Sequence, residues 1–175
     1  LYHGPDARLF AAAPAGSEEE PAYAVKVWEP FSDLAFEVPQ EEKAHFLQAA
    51  AEQQQIAGSS GHWAPIYESG ELERGAYYVT RLCIYPNPLA SLTRHSLVSP
   101  EALRDIVEGV VDGLIDLQRE AGRPHGNLKF SNILLAAPKG TSWEDVFLAD
   151  PLASEGVDAE EHRVADLRAV GRLIY

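Results

Sequence analysis

Three polar residues stand inside or beside apolar stretches, where chemistry is a better explanation than packing. Lys26 lies within Tyr23-Ala24-Val25-Lys26-Val27-Trp28, and strand alternation puts it on one face with Ala24 and Trp28 while Tyr23, Val25 and Val27 take the other. An ammonium there needs a partner, unless the strand is at an edge and the side chain snorkels to water. Asn132 closes the polar stretch His125-Gly126-Asn127-Leu128-Lys129-Phe130-Ser131-Asn132, in which Asn127, Lys129 and Asn132 stand together; the same residue types also suit an ordinary capping loop. Asp150 ends the apolar run Val146-Phe147-Leu148-Ala149 and precedes Pro151, where a carboxylate leaves a strand for a cleft or a plain turn. Together, one lysine, one asparagine and one aspartate are what a Mg²⁺-nucleotide site uses. The lysine is a point charge for phosphate oxygens, and the other two offer oxygen ligands to a hard cation.

The elements that must position them can be read from periodicity and punctuation. Residues 7–13 and 23–28 read as strands joined by Pro14-Ala15-Gly16-Ser17 and an acidic, solvated Glu18-Glu19-Glu20. Residues 40–57 are rich in Ala, Gln and Glu without Gly or Pro, which predicts a helix stopped by Gly58-Ser59-Ser60-Gly61. Residues 63–68 and 75–81 read as strands around a polar turn at 69–74. After the Pro-rich stretch 85–88, Ser99-Pro100-Glu101 gives a cap, a first-turn proline and an early acid to a long helix. On that helix Leu103, Ile106, Val107, Val110, Leu114 and Leu117 share one face. Residues 132–136 and 146–149 form a hairpin pattern with a Gly-containing turn, and a last helix is expected from about Val164.

The composition bounds the function. A chain of 175 residues with 46% apolar and 23% charged residues belongs to a folded globular protein with room for one core or two small lobes. A formal net charge of −13 repels nucleic acid and anionic membrane surfaces, so neither is an expected partner. Cys83 is the single cysteine, which excludes an intrachain disulfide framework and a cysteine-based zinc site and suits a cytoplasmic setting. No run is long enough in apolar residues to span a membrane. The absence of Met is expected of a domain excised from a longer chain, which could itself be membrane-anchored.

The order of these residues resembles the protein-kinase signature of a strand lysine, an H-R-D-L-K-x-x-N loop and a D-F-G aspartate. Residues 22–27 resemble the lysine strand and residues 125–135 the catalytic loop with its following strand. Residues 166–175 are similar to the D-x-x-x-L-G start of a large helix. The resemblance implies an α+β, protein-kinase-like two-lobe fold of the bacterial Ser/Thr-kinase type. Residues 1–84 would be a β-rich N-lobe with one helix, and residues 85–175 a truncated, mainly helical C-lobe. It also implies roles: Lys26 on nucleotide phosphates, paired with Glu52 on the helix; Thr80 as gatekeeper; Arg81, Leu82 and Cys83 beside adenine. Asn132 and Asp150 would hold Mg²⁺, Lys129 would be the catalytic-loop lysine, His125 the loop histidine packed in the core, and Asp166 the anchor beneath the loop. ATP with Mg²⁺ is the implied ligand.

Several departures argue against efficient transfer. Asn127 stands where the family has its catalytic-base aspartate, and an amide has no usable basicity near neutral pH. Asp150-Pro151-Leu152 lacks the Phe and Gly of the family, and the stretch Gly4-Pro5-Asp6-Ala7-Arg8-Leu9-Phe10 keeps one glycine of the phosphate loop. Between Asp150 and Asp166 there is no A-P-E-like segment for peptide docking. The expectation is a pseudokinase with weak or absent nucleotide binding that regulates or scaffolds a protein partner or an adjacent domain in signalling. The alternative is a low-activity phosphotransferase, since His125-Gly126-Asn127 also resembles the H-G-D loop of aminoglycoside and choline kinase-like enzymes; Lys129 fits the protein-kinase pattern better. A metal-dependent hydrolase is disfavoured, because the six histidines have no i, i+4 pairing.

Overall fold

Strand alternation and helix punctuation yield an α+β architecture, seen here in a computed structural model that describes residues 3–4, 7–18, 20–30, 39–83, 89, 99–136, 145–154 and 158–174. Strands β1 (His3–Gly4), β2 (Ala7–Ala12), β3 (Tyr23–Trp28), β4 (Ile66–Leu72) and β5 (Gly75–Arg81) make one antiparallel sheet in the order β1-β2-β3-β5-β4. β3 is therefore interior, not an edge, and Lys26 lies opposite Leu9 on one side and Tyr78 on the other. The β2–β3 turn closes with the Ser17 amide on the Pro14 carbonyl at 3.0 Å.

Helix α1 (Gln40–Ala57) enters between β3 and β4 in sequence and packs against β4 and β5. Its buried positions, Lys43, Ala50, Gln53 and Ile56, recur at helical spacing. Ala50 joins Ile66 and Tyr78 in a small core, with Phe46 stacked on the Tyr78 ring at 5.5 Å. Lys43 is buried because its ammonium reaches Glu71 at 2.5 Å on β4.

Helix α2 (Pro100–Ala121) starts as its residues demand, with Ser99 Oγ accepting from the Ala102 amide at 3.1 Å. Its apolar stripe, with Ile106, Val110 and Leu117 fully buried, faces the hairpin β6 (Ile133–Leu135) and β7 (Val146–Leu148). The approach is close: a Cβ on Gly109 would stand 2.7 Å from Val146 Cβ, and one on Gly113 would stand 2.9 Å from Leu148 Cδ1. Trp63 joins the halves, its indole N–H donating to the Gly113 carbonyl at 2.9 Å while its backbone bridges to Leu148. Helix α3 (Ala159–Ile174) completes this core with Ala169 and Leu173.

Two elements differ from the expectation by more than a residue. The fourth strand was expected at 63–68 with a turn at 69–74, but it runs from Ile66 to Leu72 and turns only at Glu73-Arg74. The polar residues there mark an exposed edge strand, not a turn. The last helix begins at Ala159, not near Val164, because Asp158 caps it: its Oδ1 accepts from the amides of Glu160 and Glu161 at 3.1 and 2.9 Å. The Pro-rich stretch 85–88 and the turn between β6 and β7 lie outside the described residues, as do Pro5 and Asp6 of the expected phosphate loop.

Candidate functional site

The hairpin brings two of the expected residues together, since Asn132 immediately precedes β6 and only Ala149 separates Asp150 from the end of β7. The Ala149 amide donates to the Asn132 carbonyl at 3.0 Å, which ties the two strand ends together. Asp150 takes a left-handed backbone with φ 59°, rare for a residue with a Cβ and better tolerated by Asp than by most. Such a conformation persists where the surroundings over-determine it. Its N–H donates to Gln53 Oε1 at 2.8 Å, and its carbonyl accepts from Asn127 Nδ2 at 2.9 Å. Its Oδ1 takes the Lys26 ammonium at 2.7 Å and the Tyr78 hydroxyl at 2.5 Å.

This geometry sets the charge states. Burial alone would raise the Asp150 pKa, but the Lys26 ammonium, helped by the Tyr78 hydroxyl and by His125, brings it below the ordinary value. Tyr78 goes the other way: burial first, then the Asp150 charge, hold its phenol well above its usual range, so it stays a donor. Lys26 Nζ also stands 5.8 Å from the centroid of the Tyr78 ring.

The loop before Asn132 is pinned from below. Asp166 on α3 is buried and accepts from the His125 amide at 2.7 Å and from the Gly126 amide at 3.2 Å. Gly126 adopts φ 75°, where a Cβ would also meet Leu152 Cδ1 at 3.0 Å, so glycine is required. His125 is fully buried, stacks on Trp63 with ring centroids 5.5 Å apart, and accepts the Asn127 amide on Nδ1 at 3.2 Å. Burial lowers its pKa to about 4, keeping the imidazole neutral. Asn132 is buried, and its amide donates to the Asn127 carbonyl at 2.8 Å. Lys129 projects from the same loop and is exposed.

Glu52 requires a correction. Expected to pair with Lys26, it pairs with Arg123 at 2.6 Å and accepts from Ser154 Oγ at 2.6 Å. Helical geometry explains this: Gln53, one residue on, takes the position facing Asp150, which turns Glu52 about 100° round the helix towards the end of α2. Arg123 is itself held by the Leu152 carbonyl at 2.8 Å, so the three residues clamp α1 to the segment after Asp150.

The four residues expected around adenine, at the end of β5 and just after it, are spread out. Thr80 is buried, with its hydroxyl on the Pro65 carbonyl at 2.6 Å. Arg81 is exposed and lies 5.4 Å from the Phe147 ring centroid, and the Leu82 amide donates to the Ala22 carbonyl at 3.0 Å. Cys83 is buried against Ala64, Ala136, Phe147 and Ala149, and burial pushes its thiol up to about 11. At the Tyr23–Arg81 end of the sheet a shallow cavity of about 470 Å³ is lined by Tyr23, Trp63, Tyr67, Arg81 and Phe147, among others.

Gln53, Tyr78 and Arg123 were not anticipated from sequence. Gln53 had a signal, being a polar residue at a buried helical position; Tyr78 had one too, since it shares a face of β5 with Thr80. Arg123 had none. No protein-family model matches the chain, and no curated protein matches it significantly.

Among the described residues, no helix is long and apolar enough to cross a membrane, and no three or more His, Cys, Asp or Glu residues group to hold a metal ion.

Proposed function

We propose that this chain is a catalytically impaired protein-kinase-like domain, a pseudokinase that regulates or scaffolds a protein partner or neighbouring domain in the cytoplasm. The fold reading is supported by the strand order β1-β2-β3-β5-β4 with a helix between β3 and β4, followed by a helix, a polar loop and a hairpin. That order resembles an N-lobe over residues 1–84 and a truncated C-lobe over residues 85–175. The observation that carries the functional reading is Asn127: at the base position stands an amide that donates to the Asp150 carbonyl. It is a brace, with no proton-accepting role to play.

Two further features support a binding role. Lys26 and Asp150 are each other's partners, so a phosphate reaches Lys26, or a metal ion Asp150, only by breaking a part-buried ion pair. The cavity at the Tyr23–Arg81 end of the sheet offers aromatic surface, with Tyr67 53% exposed and edge-on to Tyr23 at 5.6 Å.

The test is a γ-phosphate transfer assay on the chain itself and on generic acceptors, run beside a thermal-shift titration with ATP and Mg²⁺. No transfer and a negligible shift at millimolar ATP are expected. Transfer that disappears with Lys26→Ala and Asp150→Asn would instead establish the low-activity phosphotransferase.

A further inference from the structure

The residues that the kinase resemblance assigns to Mg²⁺ do not fit it. A hard divalent ion wants several oxygen ligands with net negative charge. Here Asp150 Oδ1 is filled by two donors, Lys26 and Tyr78, and the ammonium has already neutralised the carboxylate. Asn132 offers only a neutral amide oxygen, which also lies 3.4 Å from the Ser131 hydroxyl, while its Nδ2 donates to the Asn127 carbonyl and is no ligand. Glu52, the acidic residue next to Gln53 on α1, is turned to Arg123 and Ser154.

Resting on the pseudokinase reading, we infer that Tyr78 excludes the divalent cation from this cleft. Its hydroxyl fills Asp150 Oδ1 beside the Lys26 ammonium, so a metal taking that oxygen must displace a donor from it. The ring is fixed by Phe46 stacked on it and by its register opposite Lys26, so the hydroxyl is delivered by both α1 and β3.

Tyr78→Phe keeps the ring, the stacking on Phe46 and the cation–π contact, and removes only the hydroxyl. The probe is Mn²⁺ alone, with no nucleotide, followed by water-proton relaxation. Pairing each variant with Asp150→Asn subtracts binding to exposed carboxylates.

The wild-type chain is expected to give no Mn²⁺ binding that depends on Asp150. Tyr78→Phe is expected to gain such binding, at least roughly tenfold tighter than the detection limit that bounds the wild type, the scale of one hydrogen bond to a charged group. Lys26→Met, which removes the other Oδ1 donor, gains it in the same way and serves if Tyr78→Phe misfolds. Asp150-dependent Mn²⁺ binding by the wild type, or none by a folded Tyr78→Phe, overturns the inference. Phosphate transfer by the wild type would overturn the pseudokinase reading instead, and the Mn²⁺ titration is read independently of it.

Discussion

The side chain at position 127 has a structural duty that an aspartate cannot perform. Its amide donates to the Asp150 carbonyl at 2.9 Å, and a carboxylate there would set one acceptor against another. Asn127→Asp is therefore expected to lose stability by about 1–3 kcal/mol, measured by urea unfolding, and to show no gain in phosphate transfer. Unchanged stability would mean that the loop re-forms around a carboxylate, and restoring the family residue would then be a fair test of lost catalysis. Lys26, Asn132 and Asp150 were legible because a charge or amide beside an apolar run is conspicuous in any sequence. The partner of Lys26 was not, since Glu52 and Gln53 are adjacent in sequence and only the phase of α1 decides which one faces Asp150.

Helix α2 and the β6–β7 hairpin meet almost backbone to backbone, and the two glycines on the helix make this possible. Gly109→Val would drive a side chain into Val146, with the first added atom already 2.7 Å from Val146 Cβ, and is expected to cost about 1–3 kcal/mol by overpacking. Gly171 on α3 has nothing within 4 Å of where a Cβ would be, so Gly171→Ala should stabilise by about 0.5–1 kcal/mol through helix propensity. Thermal unfolding of the two variants against wild type checks both signs. The bounds of α1 and the capped start of α2 were legible because local propensity and capping agree with the tertiary fold. β4 and the start of α3 were misread where polarity reflected an exposed edge and where a single capping aspartate, Asp158, outweighed a sparse apolar pattern.

Taken as one molecule, the chain carries a formal net charge of −13, yet at its candidate site the acidic group is neutralised by a lysine from β3. That site is assembled from distant parts: Tyr78 and Asp150 are 72 positions apart, Gln53 and Asp150 are 97 apart, and Glu52 and Ser154 are 102 apart. Closing loops of this size costs chain entropy before any contact repays it, whereas α2 and the β4–β5 hairpin form from near neighbours. The consequence is temporal: the backbone bracket around Asp150 closes late in folding and opens early in unfolding. Gln53→Ala should then speed unfolding several-fold while leaving the folding limb of a urea chevron almost unmoved. A comparable slowing of folding would mean instead that the bracket is already in place at the transition state, and that the site helps to organise the fold it sits in.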